Sequence, residues 1–122
     1  MGQLNYNVTD ENLTDILVCA FEGGINYWCG QVIVKDRDYK GANCAASSIA
    51  KGSTLILVDA EEIEDDAEIN KEKMLKAIEK YINENGTGII DLDSKELECG
   101  QIDSEVADCI VQMAAFGEVV YG

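Results

Sequence analysis

The sequence predicts an α+β fold, a single small domain over residues 1–122 with three or four helices packed on a small mixed β-sheet. Three observations carry that expectation. Helical and strand-like periodicities alternate along a chain too short for a long doubly wound sheet. Hydrophobic residues make up 47 % of the 122 positions, enough for a normal core. No proline-rich linker, internal repeat or composition break divides the chain.

Each element has its own signal. Leu4, Tyr6 and Val8 alternate with polar residues and predict a short first strand. Thr9 is placed to cap a helix whose first turn carries Asp10 and Glu11, acids suited to a helix N-terminus. Leu13, Ile16, Leu17, Ala20 and Phe21 fall on one helical face, and Gly23-Gly24 ends it. Gln31 to Lys35 reads as a strand, Asp36 to Gly41 as a polar turn, and Ala42 to Ala50 as a short helix of small residues closed by Gly52. Thr54 to Val58 is an unbroken apolar run, predicting a strand buried on both faces. Asn70 caps a second long helix from Lys71 to about Asn83, with Met74, Leu75, Ile78, Tyr81 and Ile82 on its apolar face and Gly86 after it. Residues 87–102 are ambiguous: Ile89, Ile90 and Leu92 fit a short strand or a packed loop. Asp103 or Ser104 caps a third long helix in which Val106, Cys109, Ile110, Met113 and Ala114 share a face and which stops at Gly117. Glu118 to Tyr121 then fits a terminal edge strand, either paired in the core or exposed and pairing across a homodimer.

Charge and residue inventory exclude whole classes of function. Twenty-four Asp and Glu against nine Lys and Arg leave −15 at pH 7, which argues against direct binding to nucleic acid or to an anionic membrane. There is no histidine, so Ser-His, Cys-His and His-metal chemistry are absent together. Cys19, Cys29, Cys44, Cys99 and Cys109 are odd in number and lack ligand spacing; they read as buried, reduced thiols of a cytoplasmic protein, and no zinc site is expected. The start, Met1-Gly2-Gln3-Leu4-Asn5, lacks the charged and apolar regions of a secretory signal. The longest apolar run, Ile16 to Phe21, is far short of the roughly 20 residues that span a bilayer. Without a secretory route the three Asn-x-Thr sequons at 7, 12 and 85 are chance matches.

Two segments are candidates for function. The stretch 59–68 carries seven acids and no base: Asp59, Glu61, Glu62, Glu64, Asp65, Asp66 and Glu68. A second acidic stretch, 91–108, has Lys95 as its one base. Asp91-x-Asp93 begins like a helix-loop-helix calcium loop, but Glu96 stands at the glycine position and Ile102 at the final glutamate, so the match fails. The plain reading of both stretches is solvated surface charge. Looser divalent-cation binding by 59–66 is a further alternative, and a carboxylate-based metal hydrolase ranks last. The sharper reading is phosphate mimicry: duplex DNA presents one negative charge per ~1.7 Å of axis, and carboxylates on a rigid domain offer a similar field to a basic groove. The second segment, 21–30, holds the single tryptophan. It reads either as a helix end with packed aromatics or as a pocket in which Glu22 and Asn26 offer polar groups and Tyr27 or Trp28 stacks on a small molecule or nucleotide. Lys35, Arg37, Lys40 and Lys51 are the bases that would lie near it.

The pairing of Glu22-Gly23-Gly24-Ile25-Asn26-Tyr27-Trp28 with Ala107-Asp108-Cys109-Ile110-Val111-Gln112 and the ending Phe116-Gly117-Glu118-Val119-Val120-Tyr121-Gly122 resembles small proteins of phages and prophages of Gram-positive bacteria. The resemblance implies a genomic setting and no catalytic residues. The expectation is therefore a non-enzymatic inhibitor without cofactor. Its partner would be a host nucleic-acid-binding defence protein with a basic groove, a CRISPR nuclease being one such target, reached through residues 59–68 and in part 91–108. A small-molecule-binding protein with its pocket at 22–30 is the alternative.

Overall fold

The computed structural model describes residues 6–59, 67–86, 88–91 and 93–121, the side chains of Asp59 and Cys99 apart. Its elements run α1 (Asp10–Cys19), a π-helical turn (Ala20–Gly24), β1 (Cys29–Val34), a 3-10 turn (Lys35–Arg37), α2 (Ala45–Ser48), β2 (Leu55–Asp59), β3 (Ala67–Ile69), α3 (Lys71–Asn85), β4 (Ile90–Asp91), β5 (Glu96–Leu97), a second 3-10 turn (Cys99–Gln101) and α4 (Ser104–Phe116). This is a small α+β fold, with four α-helices, a three-stranded sheet and a two-stranded one among the described residues.

The long helices start where short polar side chains can satisfy their first free N–H groups. The Thr9 hydroxyl accepts from the Asn12 amide at 3.1 Å, and the Asn12 side chain accepts from the Thr9 amide at 2.9 Å, a reciprocal capping box. Asn70 accepts from Lys73 N–H at 2.9 Å. Asp103 does the same for Val106 at 2.9 Å, so Asp103 is the cap of α4 and Ser104 its first residue. Gly117 ends α4 at φ +80°, a left-handed geometry that a Cβ would strain.

The larger sheet has the order β1-β2-β3, antiparallel throughout. Val34 stands opposite Leu55 and Leu55 opposite Ile69, placing all three on the face that meets the core. The opposite face carries Ile33, Ile56 and Glu68 in register. The expectation that 54–58 is buried on both faces therefore needs correction: Leu55 and Leu57, on the core face, are buried, but Ile56 and Val58, on the other face, are only half-buried. β3 was not expected. Its three residues follow the acidic stretch and are too few to show a period, yet they alternate buried, exposed, buried.

Within the ambiguous stretch the second sheet consists of β4 and β5, where Ile90 pairs with Leu97 and Asp91 with Glu96, while Leu92 lies outside the described residues. The predicted first strand reduces, among the described residues, to a parallel bridge of Asn7 to Glu96, with Asn7 N–H donating to Lys95 O at 2.6 Å. That bridge is what makes the pairing mixed; all three named ladders are antiparallel. The predicted helix 42–50 shortens to Ala45–Ser48. Glu118 to Tyr121 forms no strand, and its amides find a different partner, described below. Ala107, Ile110 and Val111 of α4 lie fully buried with Leu13, Ile16 and Leu17 of α1 and Met74 and Ile78 of α3.

Candidate functional site

Positioning begins at the end of α1. The helix widens into a π turn, Ile25 N–H reaching Ala20 O at 3.0 Å across five residues, and the backbone then turns so that Cys29 N–H returns to Ile25 O at 2.8 Å. Gly24 lies against the first turn of α4: a Cβ there would stand 2.5 Å from the Ser104 carbonyl oxygen. This close approach sets Tyr27 and Trp28 beside the inward face of α4.

Asp108 and Gln112, one helical turn apart on α4, receive them. Asp108 is 7 % exposed and accepts three hydrogen bonds: Tyr27 Oη at 2.6 Å on Oδ2, and Trp28 Nε1 at 2.8 Å and Gln112 Nε2 at 2.9 Å on Oδ1. The side-chain amide of Gln112 has no exposed surface and holds the C-terminal segment. Its Oε1 accepts from Val120 N–H at 2.8 Å and Tyr121 N–H at 2.7 Å, and its Nε2 lies 3.3 Å from both Tyr121 O and Tyr27 Oη. Tyr121 stacks flat on Trp28 at 5.2 Å between centroids, and Phe116 closes the group edge-on to Tyr121 at 5.9 Å. The backbone groups expected to pair in an edge strand thus bond to one side chain.

Two adjoining cavities open around the first half of α4. One, of 430 Å³, lies between Gly24, Tyr27, Ser104, Asp108 and Tyr121; the other, of 520 Å³, lies between Tyr81, Glu84, Asp103, Val106 and Met113. Glu105, Cys109 and Val119 line both, and no Lys or Arg lines either. Ionisable hydrogens here are held tightly. Burial, the hydrogen bond to Asp108 and its negative charge push Tyr27 up to about 12. Burial first, then Asp108, Glu105 and Asp103, raise Cys109, which keeps it a thiol rather than an activated nucleophile. Tyr81 is raised by burial and by Cys109, Asp103 and Glu105, and Cys19 by burial and by Asp103 and Glu22.

The expected pocket is only partly assembled. Trp28 is 3 % exposed, spends its indole N–H on Asp108 and has a ring face covered by Tyr121, so with residues 118–121 in place it offers no open stacking surface to a small molecule. Glu22 and Asn26 are exposed and line neither cavity. Tyr27, 57 % exposed, is the one predicted pocket residue at a cavity rim. Asp108 pairs with Tyr27, Trp28 and Gln112, not with Asn26 or a lysine. Of the acidic stretch, Glu61, Glu62, Glu64, Asp65 and Asp66 and the side chain of Asp59 lie outside the described residues. Glu68 is exposed and faces Lys35 at 3.4 Å. Cys44, expected to be buried, is exposed at the start of α2, where the Ser47 hydroxyl lowers its pKa.

Sequence reasoning missed the role of Gln112; a polar pair at 108 and 112 on one side of an otherwise apolar helix is the signal that could have found the buried network. Among the described residues no group of three or more Cys, Asp or Glu could hold a metal ion, and no helix is long and apolar enough to cross a membrane. Comparison with protein-family models, curated proteins and solved structures finds no match to this chain.

Proposed function

We propose that this chain is a non-enzymatic inhibitor that occupies the basic groove of a host nucleic-acid-binding defence protein, a CRISPR nuclease being one candidate, in the host cytoplasm. The observation that carries the reading is the acidic face at the start of α4. Glu84, Asp103 and Glu105 are exposed around two adjoining cavities that no base lines, within a chain of net charge −15. The described ion pairs, on Lys35, Lys40, Lys71 and Lys76, involve none of these three acids. Carboxylates without an ion-pair partner among the described residues, at the end of α3 and the start of α4, meet the electrostatic need of a groove built for phosphates. The stretch 59–66 adds acids of the same sign, and the phage resemblance supplies a setting in which such an inhibitor has a target.

The second reading, a small-molecule pocket, is favoured by the 430 Å³ cavity at Tyr27, displaced from 22–30 towards α4. Its carboxylate lining opposes nucleotide phosphates, which ranks it below the first.

The test is capture of proteins from a bacterial lysate on wild type and on two neutralised chains, Asp103→Asn/Glu105→Gln and Glu61→Gln/Glu62→Gln/Glu64→Gln/Asp65→Asn/Asp66→Asn. The wild type should retain a basic nucleic-acid-binding protein that duplex DNA displaces, with affinity falling steeply as salt shortens the ~8 Å screening length. Capture by both neutralised chains at wild-type strength would overturn the proposal.

A further inference from the structure

The C-terminal segment is bound as a ligand is bound. Residues 118–121 belong to neither sheet, yet two successive amides of this segment converge on Oε1 of one fully buried glutamine, whose Nε2 reaches a carbonyl of the same segment. An aromatic slot built from Trp28 and Phe116 takes the ring that follows. The reading group is itself fixed: Asp108 orients the Gln112 amide through Nε2, leaving Oε1 to face the tail. Backbone recognition plus a side-chain slot is a way in which proteins take up peptide segments. Beyond these contacts much of the segment faces solvent: Val119 and Val120 are 42 % and 52 % exposed and Glu118 is exposed, and the chain leaves α4 at Gly117, φ +80°, whose carbonyl accepts from Lys80 Nζ.

We infer that Gln112, Trp28 and Phe116 form a binding site for a short peptide segment bearing an aromatic side chain. Residues 118–121 are its resident occupant, and a segment of the same pattern on a partner protein displaces them. This site uses neutral contacts and stands apart from the acidic-surface reading. Displacement removes the tail's wall from both cavities, since Val119 lines each of them.

The test keeps the full chain and weakens the tail's grip from outside the core. Val120→Pro deletes the Val120 N–H that Gln112 accepts, and Tyr121→Ala deletes the stacked ring. Each chain is titrated with the acetylated, amidated peptide Gly-Glu-Val-Val-Tyr, the sequence of 117–121, and read by the emission of Trp28, the single tryptophan. Both variants should bind the peptide at least ~10-fold more tightly than wild type, in which the tethered tail competes at high effective concentration. The peptide with alanine in the tyrosine position should leave Trp28 emission unchanged. No response in either variant, or an equal response in wild type, would overturn the inference. Hydrogen exchange on the unaltered protein gives an independent reading. The Val120 amide should exchange at least ~100-fold faster than that of Ile110, and exchange at the rate of Ile110 would mean that the tail opens only with the whole fold and would refute displacement.

Discussion

Asp108 is the residue on which Tyr27, Trp28 and Gln112 converge, and replacing it separates the roles of charge and acceptor. In Asp108→Ala three donors lose their partner. Tyr27 is exposed enough to turn its hydroxyl to water, so its share is small. Gln112 Nε2 keeps Tyr121 O and Tyr27 Oη nearby, and loses on the order of 1 kcal/mol. The buried Trp28 N–H has no water to turn to, which costs a further ~1–3 kcal/mol. The sum, about 2–4 kcal/mol, lowers Tm by roughly 8–16 °C for a domain of this size. Asp108→Asn behaves differently. Its carbonyl oxygen, placed as Oδ1, still accepts from Trp28 and Gln112, its NH2 donates to Tyr27 Oη, and the desolvation cost of a buried carboxylate is relieved. It should fall within about 1 kcal/mol of wild type. Urea unfolding followed by Trp28 emission measures both. Equal losses in the two variants, or a loss below about 0.5 kcal/mol in Asp108→Ala, would refute the assignment of Asp108 as an essential acceptor.

Gly24→Ala should destabilise by ~1–3 kcal/mol, because the new Cβ meets the Ser104 carbonyl at 2.5 Å, whereas Gly23→Ala, with open space around it, should be neutral or slightly stabilising. Chemical denaturation of the two variants side by side decides, and equal stabilities would contradict the close approach of the π turn to α4. Folding also favours the neutral forms of Tyr27, Tyr6 and Tyr81, whose pKa values lie above the ordinary 10.0. Their contribution is whole below pH 10 and is lost as pH rises, for Tyr27 through about 12. The midpoint of unfolding should therefore drop between pH 10 and 12, and less so in Tyr27→Phe; an identical drop in both chains would exclude Tyr27 as a source.

Helices were the legible part of the sequence because their signals are redundant. α3 is announced by Asn70, five apolar positions at helical spacing and Gly86, so an error at any one position leaves the others to correct it. Strands of two or three residues, such as β3 and β5, contain too little sequence to show a period, and their existence depends on partners far along the chain. The site was legible as ingredients rather than as an arrangement. Tyr27, Trp28 and Asp108 all attract notice as residues, but Trp28 reads equally well as a ligand platform and as core. Only its contact with Asp108, eighty positions away, decides between them. The tail shows the same limit: Val119-Val120-Tyr121 has strand composition, and nothing local reveals that the groups satisfying its amides belong to Gln112.

The π turn at Ala20–Gly24 has a consequence for how this chain can change over evolutionary time. An α-helix advances about 100° per residue, so the widened turn acts as a one-residue insertion that resets the rotational phase of everything after it. Deleting a single residue between 20 and 24 would let the helix close its ordinary bonds, yet would swing Tyr27 and Trp28 about a quarter-turn away from α4. Single-residue length changes in this segment are therefore barred more strictly than most substitutions, and descendants of this fold are expected to keep the count from Ala20 to Trp28 even where they alter the residues between.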